Sequence, residues 1–88
     1  MEVGIVLDGN SEIPGMEKTF TENVSARGAR VVTIRRWVLN DRLTVRTAAG
    51  DFRSTARVAY CQPVHGSGYA IGVEFIEPRG RWIVDSKK

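Results

Sequence analysis

The sequence predicts an all-β protein, a single six-stranded antiparallel barrel, with at most a short helical turn near its C-terminal end. Three observations carry this expectation. Apolar residues recur at every second position in a series of short stretches. Gly, Asn, Asp and Pro punctuate the chain between them. The 3.6-residue recurrence of an amphipathic helix is nearly absent. Strands joined by short turns pair antiparallel, and closing them into a barrel removes the edges that a thin, two-faced sheet would expose.

Each element follows from its residues. Val3, Ile5 and Leu7 alternate with Gly4, Val6 and Asp8, a first strand of period two. Asp8-Gly9-Asn10-Ser11 is turn chemistry and Pro14-Gly15 punctuates again, so residues 8–16 read as a loop. Residues 17–24 form the second strand and residues 29–34 the third, whose adjacent Val31 and Val32 imply burial on more than one side. Residues 35–41 connect onward, with Asn40-Asp41 as the turn. Leu43 and Val45 then face one way, while Arg42, Thr44 and Arg46 face the other. Ala48-Ala49-Gly50-Asp51 makes a hairpin turn. The returning strand puts Phe52, Ser54, Ala56, Val58 and Tyr60 on one face and Arg53, Thr55, Arg57 and Ala59 on the other. After a loop at residues 63–68, Tyr69, Ile71, Val73 and Phe75 alternate until Pro78 withholds an N–H. Residues 79–84 are expected to turn and lay Trp82 over an open barrel end, and residues 85–88 to fray.

Length and composition limit the function classes. At 88 residues the chain is read as one domain, residues 1–88. A lone cysteine, Cys61, excludes an internal disulfide and a zinc site of its own, and reads as a small, partly buried apolar group. No apolar run approaches the ~18 residues of a membrane span, and the start of the chain lacks the basic residues of a signal peptide. A cytoplasmic location is therefore expected. The only histidine, His65, sits in a glycine-flanked loop with no nucleophile motif beside it, and Ser25 lacks the G-x-S-x-G elbow. No catalytic residue, metal site or cofactor is expected, and the protein is read as non-enzymatic. The net charge is +3, and of the 13 Lys and Arg residues only Lys18, Lys87 and Lys88 are lysine. Arginine's planar fork suits phosphate and base stacking, although arginine-biased codons explain the excess equally well.

The most distinctive stretch runs from Glu22 to Val31. Asn23 and Ser25 lie two apart and share one face of an extended backbone. Gly28 follows, supplying either a positive φ or a close backbone approach, and Arg27 stands at the tip of the turn. An Asn amide offers both donor and acceptor to a guanine edge, Ser25 adds a hydroxyl, and N–H groups around Gly28 can face a phosphate. The same residues could equally do no more than bend one strand into the next.

The Asn-x-Ser-x-x-Gly spacing resembles the (D/N)-x-S-x-x-G signature of PilZ domains. The likeness continues through residues 40–45, 56–60 and 69–75, covering residues 20–82 in all. What the resemblance implies is a six-stranded barrel that binds cyclic di-GMP in bacterial signalling, with Asn23, Ser25 and Gly28 as ligand contacts and Arg27 at a variable position. One departure matters. The family's R-x-x-x-R arm, whose two arginines wrap the ligand, should precede the first strand, yet no arginine occurs before Arg27. Binding of cyclic di-GMP is accordingly expected to be weak or lost. Two alternatives stay open. One is a degenerate scaffold that binds a protein partner through Trp37 or Trp82, both of which also suit end plugs. The other, less favoured, is a small basic barrel for single-stranded nucleic acid, since the arginine faces carry no aromatic on which bases could stack.

Overall fold

The computed structural model describes residues 2–10 and 14–83. Among the described residues, seven strands appear in chain order: β1 (Gly4–Asp8), β2 (Met16–Ser25), β3 (Gly28–Thr33), β4 (Arg42–Thr47), β5 (Phe52–Pro63), β6 (Tyr69–Phe75) and β7 (Arg79–Gly80). All pairings are antiparallel. The order runs β4-β1-β2-β3-β6-β5-β7, and pairing of β4 with β5 closes β1 to β6 into the expected six-stranded barrel.

Alternation fills the interior as the sequence requires. Ile5, Leu7, Val31, Leu43, Val45, Ala56, Val58, Ile71 and Val73 form one cluster, and Cys61 packs against it. Trp37 joins them at 3% exposure. It leaves the β3–β4 connection and plugs one barrel end, donating its indole N–H to Thr33 Oγ1 at 3.4 Å, so it offers no exposed anchor to a partner. Among the described residues, the buried hydroxyls are all partnered. Thr21 Oγ1 accepts from Val3 N–H at 2.9 Å, and Thr47 donates to Asp51 Oδ1 at 2.6 Å while accepting from Phe52 N–H. This matters because an unpaired buried hydroxyl costs about 1–3 kcal/mol.

The expected turns fall where their residues permit. Asn40 takes φ +73° and Gly50 φ +86°. Of the loop expected over residues 8–16, residues 11–13 lie outside the described residues, as do Val84 and the expected tail at residues 85–88.

Two expectations are corrected. Residues 79–83 contain no helical turn: Arg79 and Gly80 pair with Arg53 and Phe52 as the short strand β7. Gly80 has φ +92°, a conformation that cannot continue a right-handed helix. Trp82 does cap a barrel end, its ring centroid 4.8 Å from both Phe52 and Phe75. The second correction concerns Tyr60, placed on the core face by strict alternation. The β5–β6 register shifts between Val58 and Tyr60, leaving Ala59 as an extra residue. Such a bulge reverses the side-chain parity beyond it. Tyr60 therefore turns outward, 38% exposed, and Cys61 turns toward the core.

Candidate functional site

The polar corner is built where β2 turns into β3. Ser25 and Gly28 are register partners across the turn, and Arg27 sits exposed at its tip. Gly28 is needed for close approach rather than for a positive φ. A Cβ there would run into the carbonyl oxygen of Val73 on β6, and Gly28 is absent from the positive-φ positions. The tightness is reinforced by Phe75 N–H, which donates to Arg27 O at 2.8 Å.

A second bulge lies in β2. Its register to β3 shifts between Thr21 and Asn23, leaving Glu22 extra. Beyond it, Asn23 pairs with Arg30, Arg30 with Gly72, and Gly72 with Tyr60. Four adjacent strands thus contribute one in-register row, Asn23–Arg30–Gly72–Tyr60. Gly72 has no side chain, and a Cβ there would strike the Tyr60 ring. Arg30 and Tyr60 can therefore meet across it. Arg30 Nη1 donates to Tyr60 Oη at 3.1 Å, and its guanidinium carbon stands 5.7 Å from the ring centroid. Its Nε donates to Glu22 Oε1 at 2.9 Å, an ion pair. The Tyr60 hydroxyl, and after it the Glu22 carboxylate, raise the Arg30 pKa above the ordinary guanidinium value. The group is a fixed cation.

These rows frame an open groove of about 310 Å³, at the lower end of ligand-site volumes. Asn23, Ser25, Arg27 and Gly28 all line it, joined by Arg30, Tyr60, Gly72 and Glu74. Asn23 and Ser25 are both exposed. Asn23 Oδ1 accepts the Val24 N–H at 3.0 Å, which leaves its amide nitrogen to donate outward. The Ser25 hydroxyl makes one long bond, donating to Gly28 O at 3.4 Å, while the Ser25 carbonyl accepts the Trp82 indole N–H at 2.7 Å. Glu74 is held by Arg57 at 2.7 Å, which keeps its charge partly neutralised at the rim. Chemically, the groove presents an amide and a hydroxyl from β2, beside them a cation from β3 backed by an aromatic ring from β5, and Arg27 from the β2–β3 turn.

Sequence reasoning found the corner and missed Arg30 and Tyr60. Arg30 was legible in part, because it lies two residues beyond Gly28 and so shares its face. Tyr60 was not, since nothing in the local sequence announces the bulge at Ala59.

Hydrogen-bonding and cationic groups gathered in one outer groove of a closed barrel give this all-β protein a candidate site for a polar, anionic ligand. The model of the PilZ domain matches residues 2–82, and the chain belongs to that family. PilZ domains are cyclic di-GMP-related modules of bacterial signalling, binding modules rather than enzymes. No curated protein and no solved structure matches the chain. Among the described residues, no helix is long and apolar enough to cross a membrane.

Proposed function

We propose that the groove binds cyclic di-GMP, with Asn23 and Ser25 reading the polar edge of a guanine and Arg27 and the backbone at Gly28 facing phosphate. Arg30, braced by Tyr60, offers the planar cation against which a second base or phosphate can rest. The observation that supports this most is the row Asn23–Arg30–Gly72–Tyr60, which two bulges bring into register on the outer wall.

The same reading makes the site weak. A dinucleotide carries two phosphates, and the family's arm supplies two arginines that no residue before Arg27 provides. Each lost charge-assisted contact costs about 1.5–3 kcal/mol, so two together weaken binding by a factor of about 10² to 10⁴. Arg30 recovers only part of this, because Glu22 already holds one of its edges. Calorimetric titration with cyclic di-GMP is the test. The expected dissociation constant is weaker than about 10 μM, or about −6.8 kcal/mol. Asn23→Ala or Ser25→Ala should weaken binding further, and Arg42→Ala, on another wall, should not. Tighter binding than that by the chain alone would refute the crippled-site reading, and insensitivity to Asn23→Ala would refute the groove.

A scaffold that docks a protein partner is the second reading. With Trp37 buried, its support shifts to Ile34, Val38 and Leu39, which stand exposed together in the β3–β4 connection. Such a partner could also supply the missing arm.

A further inference from the structure

Away from the groove, the outer wall carries an arginine ladder. Register partners run Lys18–Val6–Arg46–Arg53–Arg79 across β2, β1, β4, β5 and β7. Three of these are arginines on consecutive strands, directly opposite one another. Four residues along the same hairpin, Arg42 again faces Arg57, with Thr44 opposite Thr55 between the two rows. Partners directly opposite on neighbouring strands stand about 5 Å apart, well inside a screening length of about 8 Å at physiological salt. Like charges so placed repel and destabilise the sheet.

The protein balances charge elsewhere. Arg30 is paired with Glu22 and Arg57 with Glu74. Among the described residues, no ion pair involves Lys18, Arg46, Arg53 or Arg79. Arg46 bonds only the neutral Met16 sulfur, at 3.6 Å. Asp8, diagonal to Arg46 across β1 and β4, does not pair with it. Among the described residues, repulsion left unrelieved in this row, in a molecule that relieves it at Arg30 and at Arg57, points to a counter-charge brought from outside.

Shape narrows what that counter-charge is. The ladder crosses β2, β1, β4 and β5 and ends on β7, beyond β5, so it curves around much of a closed barrel. A flat bilayer would touch only its middle. Single-stranded nucleic acid could follow the curve, but Phe20, exposed beside Lys18, stands at one end of the ladder, and the arginine and threonine positions of β4 and β5 offer no aromatic on which successive bases could stack. An extended peptide can follow it, and guanidinium forks bind carboxylates in a bidentate manner. We propose that the Lys18–Arg46–Arg53–Arg79 ladder is a docking site for an acidic, extended segment of a protein partner, separate from the groove.

Fluorescence anisotropy with a labelled fifteen-residue polyglutamate peptide tests this, with fifteen-residue oligo(dT) and phosphatidylglycerol vesicles as competing probes. The peptide should bind, Arg53→Thr should weaken it at least fivefold, and Arg36→Ala, on the β3–β4 connection, less than twofold. Arg53→Glu gives the sharper reading. Set between Arg46 and Arg79, the new carboxylate should raise the urea midpoint while cutting peptide binding more than twentyfold. Stability gained as binding is lost is not the behaviour of a merely structural surface. The proposal is overturned if oligo(dT) or vesicles bind more tightly than the peptide, if Arg36→Ala matters as much as Arg53→Thr, or if Arg53→Glu lowers the midpoint.

Discussion

Replacing Gly28 and Gly72 separately by alanine distinguishes two uses of a missing side chain. At Gly28 the obstacle to a Cβ is the Val73 carbonyl, part of the β6 main chain that β3 pairs with. The backbone there cannot yield without opening the ladder, so the overpacking cost sits near the top of the usual range, about 3 kcal/mol. Reduced freedom of the unfolded chain returns about 0.4–1 kcal/mol, leaving a net loss of about 2–2.5 kcal/mol. At Gly72 the obstacle is the Tyr60 ring, an exposed side chain free to swing away. That sacrifices the solvent-exposed Arg30–Tyr60 hydrogen bond and ring contact, which contribute little to stability, so with the same entropy offset the loss is clearly smaller than at Gly28. Urea denaturation followed by tryptophan emission measures both. With a slope near 1 kcal/mol/M for so small a chain, the midpoint should fall by about 2 M for Gly28→Ala and by clearly less for Gly72→Ala. Adding Tyr60→Ala to Gly72→Ala should cost little more, whereas adding it to Gly28→Ala should be additive. A Gly72→Ala protein as unstable as Gly28→Ala would refute this account of both positions.

Two further outcomes follow from the same geometry. Trp82→Phe keeps an aromatic cap over Phe52 and Phe75 but removes the donor to Ser25 O, so a loss of about 1 kcal/mol is expected in the urea midpoint; no change would mean the bond is not formed in solution. Tyr60→Phe removes the hydroxyl that Arg30 Nη1 donates to and should weaken cyclic di-GMP binding severalfold in calorimetry with stability nearly constant, whereas an unchanged affinity would remove Tyr60 from the site.

The parts of this fold that could be read in advance are those governed by local alternation and turn chemistry. Leu43 and Val45 against Arg42, Thr44 and Arg46 gave the faces of β4 correctly, and Gly50 marked the hairpin that returns as β5. What escaped was set by long-range register. The shift at Ala59 is imposed by how β5 meets β6, thirteen residues further along from Ala59 to Gly72, and it decides which way Tyr60 points. Trp37 illustrates the opposite limit. Its burial depends on a connection folding over the barrel end, and period-two reasoning says nothing about a residue outside a strand. At the site, the Asn23–Ser25–Gly28 corner was visible because it is contiguous. The rest of the lining was not, because it is assembled from β3, β5 and β6.

The bond from the Trp82 indole to the Ser25 carbonyl gives this protein an optical gauge at its own groove. Indole emission responds to the polarity and hydrogen bonding around its nitrogen, so a ligand that settles against Ser25 and disturbs this bond is expected to shift the Trp82 emission. Trp37, sealed in the interior, supplies a steady reference in the same spectrum. Occupancy can thus be watched in unlabelled protein, and a Trp82→Phe sample shows directly how much of the signal came from the corner.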